Sequence, residues 1–207
     1  IDYVKPLNPY VSQGGLKLQH AIEHFDLCLE NNVVLDIGAS TGGFSDCALS
    51  YGAQHVYAVD VGSNQLHPTL KAHEKVTVME QTNFLDLSNK DFPTIDFISC
   101  DVSFVSSLKI LSHIKEHFDN IEVLMLIKPQ FETKKTPKSG VIKDPLLHEE
   151  VLKDYLEDVT MLGFTISGLE PSPIKGQSGN IEFLLHLGET PCDIHIKKVV
   201  KKAQAIR

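Results

Sequence analysis

Apolar positions along the chain change period several times, and the changes mark out its elements. Between 15 and 29 they fall at Leu18, Ile22, Phe25 and Leu29, a helical spacing. The run Val33-Val34-Leu35-Asp36-Ile37 is too short for a helix and rich in β-branched residues, so it predicts a strand. Glycines follow at once, then a predicted helix from about Gly43 to Tyr51. Residues 55–60, 76–80, 95–100 and 121–127 repeat the strand signature. Between the last two, Leu108, Leu111, Ile114 and Phe118 share one side of a predicted helix over 105–118. After Lys128-Pro129, a polar stretch with Pro137, Gly140 and Pro145 predicts a loop. Asp144 suits an N-cap, and Pro145 the first turn of a helix reaching Leu162. Strands over 164–169 and 180–187 complete the series, joined by a segment rich in proline and glycine. Strands that are apolar on both faces and alternate with helices specify a parallel sheet covered on both sides. The expected fold class is α/β, doubly wound.

Length and composition narrow the field. The 207 residues fit one domain, and 42% hydrophobic with 22% charged residues excludes disordered and fibrous classes. No apolar run approaches the roughly 18 residues of a membrane span, and the first fifteen residues lack the apolar core of a signal peptide. Four scattered cysteines without a C-x-x-C pair argue against a zinc ribbon and for the reducing cytoplasm. A net charge of -8 argues against broad, non-specific affinity for nucleic acid. The chain opens on Ile1 rather than Met, which suggests a piece of a longer protein.

Candidate chemistry begins at Asp36-Ile37-Gly38-Ala39-Ser40-Thr41-Gly42-Gly43-Phe44. This turn follows the first strand, where a doubly wound sheet binds its cofactor. Small residues let backbone approach a ligand, and the next helix offers free N–H groups. Asp60 closes the second strand, where a carboxylate can accept hydrogen bonds from ribose hydroxyls, so an adenosine-containing cofactor is implied. The dinucleotide fingerprint G-x-G-x-x-G is not met, because Ser40 stands where its second glycine belongs. Asp36, two residues before the first glycine, suits a cationic amino-acid moiety, which favours S-adenosylmethionine over NAD.

Five segments then resemble one family: Tyr10-Val-Ser-Gln-Gly-Gly-Leu-Lys17-Leu, the run from Leu35 to Cys47, Val59-Asp-Val-Gly-Ser-Asn-Gln-Leu66, Leu126-Ile-Lys-Pro-Gln-Phe-Glu132, and Pro171-Ser-Pro-Ile-Lys-Gly176 with Gly179-Asn-Ile-Glu-Phe183. Together and in this order they resemble the TlyA/hemolysin A family, FtsJ-like ribosomal RNA 2'-O-ribose methyltransferases. The resemblance implies a seven-stranded, mostly parallel Rossmann-like sheet with a last antiparallel strand. It also implies a linker over 1–14 from an absent S4-type RNA-binding domain, a catalytic domain over 15–190 and a basic, helical tail over 191–207. By motif, the family's Lys-Asp-Lys-Glu tetrad falls on Lys17, Asp101, Lys128 and Glu182, with Asp101 also at the cofactor and Asn83 in reach of adenine. Ribosomal RNA within the subunits, through cytidines of 16S, 23S or both, is the implied substrate. Where the family has Ser-Arg-Gly-Gly, this chain has Gln13, which removes one cation.

The tetrad positions stand out on their own, since Lys128 closes one apolar strand and Glu182 interrupts another. A 2'-hydroxyl needs its proton removed or its developing charge stabilised, and Lys128 is expected either to accept that proton or to act as a fixed cation. Lys134, Lys135, Lys138, Lys143 and Lys175 are expected to position RNA phosphates. His113 and His117 stand four apart on a helix, but no third ligand accompanies them, so no metal is assigned. Competing readings are a membrane-active hemolysin, a silent RNA-binding module and a nicotinamide-dependent oxidoreductase. Oligomeric state is not legible from sequence.

Overall fold

The computed structural model describes residues 8–206, so residues 1–7 of the expected linker lie outside it. Seven strands form one sheet: β1 (Val33–Ile37), β2 (His55–Val59), β3 (Val76–Met79), β4 (Phe97–Cys100), β5 (Glu122–Ile127), β6 (Ile166–Pro171) and β7 (Phe183–Leu187). Their spatial order is β3-β2-β1-β4-β5-β7-β6. Strands β1 to β5 pair in parallel, whereas β7 enters antiparallel between β5 and β6. The expected single antiparallel strand is therefore present, and it lies inside the sheet.

Helices cover both faces: α1 (Gly14–Phe25), α2 (Gly43–Ser50), α3 (Pro68–Lys71), α4 (Ser107–His117), α5 (Pro129–Glu132), α6 (Pro145–Met161) and α7 (Ile196–Ala203). The central strands alternate between two cores. Val123, Met125 and Ile127 of β5 join one cluster with Leu111 of α4 and Leu152 of α6. Leu124 and Leu126 join the other, with Leu18 of α1 and Ala48 of α2. This is why the strands read as unbroken apolar runs. Among the described residues, no helix is long and apolar enough to cross a membrane.

Several boundaries move for identifiable reasons. α1 stops at Phe25 rather than near Leu29, because Asp26 takes a left-handed conformation (φ 54°). Asp144 caps α6, its Oδ1 accepting from Leu146 N at 2.9 Å. The short helices α3 and α5 were not foreseen, being only four residues each with Pro68 and Pro129 at their starts. The expected strand from 180 begins only at Phe183, since Asn180 is drawn into the loop. Its Oδ1 accepts from Ile142 N at 2.9 Å and its Nδ2 donates to Gly140 O at 2.8 Å. In the basic tail, α7 buries Val200 and Ala203 in the larger core and so packs as part of the domain.

Candidate active site

The carboxyl ends of the parallel strands face one edge of the sheet, and chemistry collects there. Asp101 follows β4, its N–H donating to Ile37 O at 3.0 Å, and Lys128 follows β5. Because β7 runs the other way, its first residues reach the same edge and bring Glu182 with them. Lys17 comes from the first turns of α1. The four expected residues thus form two ion pairs. Lys17 Nζ donates to Glu182 Oε2 at 2.6 Å, with both side chains at most a tenth exposed. Lys128 Nζ lies 2.6 Å from Asp101 Oδ1 and donates to Ser103 Oγ at 2.8 Å. The Asp101 contact is a charge contact outside hydrogen-bond angles, since Oδ1 is buried without a directed donor.

Burial pushes the Glu182 carboxyl above its ordinary range; Lys17 and then Lys128 pull it back, and Asp101 adds to the rise. Charges of both pairs therefore act on one group. Gly176 closes over Glu182, since a Cβ there would lie 2.2 Å from Oε1.

The glycine-rich turn is built into this cluster. Gly38 has φ +77°, and a Cβ on it would stand 2.3 Å from Asp101 O, so backbone from β1 and β4 touches directly. Gly42 caps α2 in the left-handed region and Gly43 is buried behind it. Ser40 is exposed at the tip, with φ 50° and its N–H donating to Asp60 Oδ2 at 2.8 Å. Asp60 Oδ1 accepts from Gly62 N at 2.7 Å, so this carboxylate orders two turns beside the edge where ribose hydroxyls were expected. Asn83 is exposed past β3, and its Oδ1 caps a single turn by accepting from Leu85 N at 3.1 Å.

Two expected cofactor residues sit deeper. Phe44 is 3% exposed and packs in the core with Leu18 and Ala48, where its ring supports the turn from below. Asp36 is wholly buried, with Oδ2 accepting from Ser45 Oγ at 2.6 Å and Oδ1 from Ser99 Oγ at 3.0 Å. Its carboxylate braces β1, β4 and α2 together beneath the turn. Burial pushes it up to about 6, against the two serine hydroxyls, and the nearby Asp101 adds to the rise.

A raised carboxyl favours the fold most when protonated. That contribution is complete below about pH 4 and lost as pH passes the folded-state value. Asp36→Asn is therefore expected to be more stable than the parent at pH 8 by up to about 3 kcal/mol. The difference should close below about pH 4, as read by thermal unfolding across pH. A gap that stays constant would rule out the buried carboxylate as its source.

Sequence reasoning did not single out the residues that hold this edge in shape. Glu132 Oε1 accepts from Ser107 N at 2.8 Å and from Ser107 Oγ at 2.7 Å, while Oε2 accepts from Ser106 Oγ at 2.6 Å. This ties the segment after Lys128 to the start of α4. Phe104, in the loop after Asp101, has φ 65° and is 91% exposed, its ring 5.3 Å from that of Phe131. The signal for Glu132 and Phe131 was their place in the Lys-Pro-Gln-Phe-Glu segment. His113, to which no metal was assigned, covers Phe84 edge-on and bonds Leu87 O at 2.7 Å.

Comparison with known proteins agrees with this geometry. The model of the FtsJ-like methyltransferases matches residues 10–189. YqxC of Bacillus subtilis is 45% identical over 183 residues, 86% of this chain and 65% of that protein. The 16S/23S rRNA (cytidine-2'-O)-methyltransferase TlyA of Mycobacterium tuberculosis is 36% identical over 182 residues, 86% of this chain and 68% of its own. A solved structure from Lactococcus lactis, described under the hemolysin name, superposes with a TM-score of 0.87 at 45% identity, over 93% of this chain and 97% of that one. The chain thus spans about two thirds of the curated relatives it matches. With its sheet order, its glycine turn and its paired lysines and carboxylates, the chain belongs to the FtsJ-like methyltransferase family, a group of S-adenosylmethionine-dependent enzymes.

Proposed function

We propose that the chain methylates a ribose 2'-hydroxyl of ribosomal RNA, at cytidines of 16S RNA, 23S RNA or both. The observation that carries this reading is the meeting of the Lys17–Glu182 and Lys128–Asp101 pairs beside the glycine turn. The turn over 38–43, Asp60 and Asn83 would hold S-adenosylmethionine, with Ser40 and Asn83 exposed at the strand ends where it would lie. When bound, that cofactor supplies an electrophilic methyl on a sulfonium.

The chain's own residues supply the rest. Lys128, steered by Asp101 and Ser103, presents its ammonium where the attacking hydroxyl must sit. As a neutral amine it would take up that hydroxyl's proton and itself become the ammonium; as a standing ammonium it stabilises the developing oxyanion. Lys17 neutralises Glu182, so one carboxylate can lie deep in the edge without repelling an incoming phosphate. Lys134, Lys138, Lys143 and Lys175 are exposed and make no ion pair among the described residues, which leaves them available to RNA phosphates. Lys135 is already paired with Glu150, which raises its pKa and weakens its candidacy. Phe104 offers an exposed aromatic face of the kind on which bases stack.

Transfer of labelled methyl to separated small and large ribosomal subunits, followed by nucleoside analysis, tests this reading. A labelled 2'-O-methylcytidine is expected. A label on a base would overturn the assignment to ribose. No label on either subunit, with the cofactor bound and with an RNA-binding domain of a relative fused in front, would overturn the RNA substrate.

A further inference from the structure

On the far side of α1 from the first strand, two histidines converge on a carboxylate that belongs to another element. His20 and His24 stand one turn apart, their rings stacked with centroids 5.8 Å apart and planes 15° apart. His20 Nε2 lies 3.5 Å from Glu170 Oε1, and His24 Nε2 lies 3.3 Å from Oε2. All three donor atoms fall within 4.8 Å of one another. We propose that His20, His24 and Glu170 bind a borderline divalent cation, Zn²⁺ above all, and that the ion fastens α1 to the edge strand β6.

The spacing supports an ion. Tetrahedral zinc with bonds of about 2.0–2.2 Å places its ligand atoms about 3.3–3.5 Å apart. Each histidine stands at such a distance from its own oxygen of the carboxylate, Oε1 for His20 and Oε2 for His24, so a small carboxylate rotation brings one oxygen to both. Two imidazoles and one carboxylate are a donor set zinc accepts with a fourth position left for water. The carboxylate is anchored, with the Glu170 side chain 6% exposed, while the His24 side chain is 42% exposed and gives the ion its way in. Glu170 pairs across the sheet with Leu184, two residues beyond Glu182, and His20 follows Lys17 by one turn. A bound ion would therefore tie α1, which carries Lys17, to β6, the strand paired with β7 beside Glu182.

Charge balance alone does not explain the cluster. Lys202 of α7 reaches around the sheet edge and already pairs with Glu170 Oε1, so one carboxylate has one ammonium without either histidine. Lys202 is about half exposed and can swing into solvent when a cation arrives. It should behave as a competitor of the metal. The segment His20-Ala-Ile-Glu23-His24 also has the H-x-x-E-H spacing of a class of zinc peptidases. Hydrolysis is not proposed, because Glu23 is turned away: it accepts from Gln19 Nε2 and from Tyr51 OH, each at 2.9 Å.

The test uses metal-free protein in which the exposed Cys28 and Cys192 are changed to serine, so that thiols do not bind the ion. Titration with Zn²⁺ by calorimetry should show one saturable equivalent and a raised unfolding midpoint. Co²⁺ should give the intense visible bands of a tetrahedral N/O site. His24→Ala, at a position 42% exposed where truncation leaves the core intact, should weaken binding by more than about tenfold, and His20→Ala likewise. Lys202→Met should strengthen it. Absence of saturable uptake, or uptake indifferent to both histidine substitutions, would overturn the proposal without touching the methyltransferase reading.

Discussion

Lys128→Ala is expected to lower the rate of methyl transfer by about 10²–10⁴-fold, the usual worth of a positioned acid–base or charge-stabilising group. Cofactor affinity should stay unchanged, because the turn at 38–43 and Asp60 are held by backbone contacts that do not involve Lys128. The two readouts are single-turnover methylation and calorimetric titration with S-adenosylmethionine. Undiminished transfer would remove Lys128 from the mechanism. Lys128→Arg then separates its two possible roles. Arginine keeps the charge beside Asp101 but does not give up its proton near neutral pH. Recovery of most of the rate would identify a fixed cation; continued loss would identify a base.

The second large effect is on stability. Lys17→Met strips the partner from Glu182, which is 3% exposed and whose carboxylate accepts from no other group among the described residues. Breaking a buried pair on one side costs about 3–5 kcal/mol. At about 2–4 °C per kcal/mol for a chain of this size, the unfolding midpoint should fall by about 6–20 °C. The sign of its pH dependence follows from Glu182. Burial already raises this carboxyl, and losing the nearest cation raises it further. The folded variant therefore tolerates the acid form and is penalised as pH rises through the raised value, so the deficit should be full at alkaline pH. It should shrink as pH falls toward the ordinary carboxylate range. Lys17→Met combined with Glu182→Gln should recover most of the loss, because no charge is then left stranded. A double variant as unstable as the single one would mean that Lys17 acts through packing.

Much of this was legible in the chain, for reasons that differ by residue. The strands announced themselves because both faces are buried; Val123 to Ile127 alternates between two cores and so shows no polar positions. Lys128 and Glu182 were visible because a charge interrupting such a run needs a partner. What escaped detection depends on contacts between distant segments. Nothing local indicates that Asp60 accepts from the N–H of Ser40, twenty positions back, or that the Asp36 carboxylate accepts from Ser45 and Ser99. Phe44 was ambiguous because an aromatic after a glycine turn can point up or down, and here the core below claimed it. His20 and His24 lie on one helix, but their carboxylate arrives from β6, 150 positions later, which no spacing rule reaches.

The placement of β7 between β5 and β6 has a consequence for synthesis. While the chain is being made, β6 emerges before the strand that must separate it from β5, so the sheet cannot be completed in the order of translation. The open flank of β5 waits until β7 inserts, and only that event delivers Glu182 to Lys17, 165 residues upstream. Long-range pairings of this kind form late. A stalled or truncated product lacking its final strand then keeps the glycine turn but has nothing to bring Glu182 to Lys17.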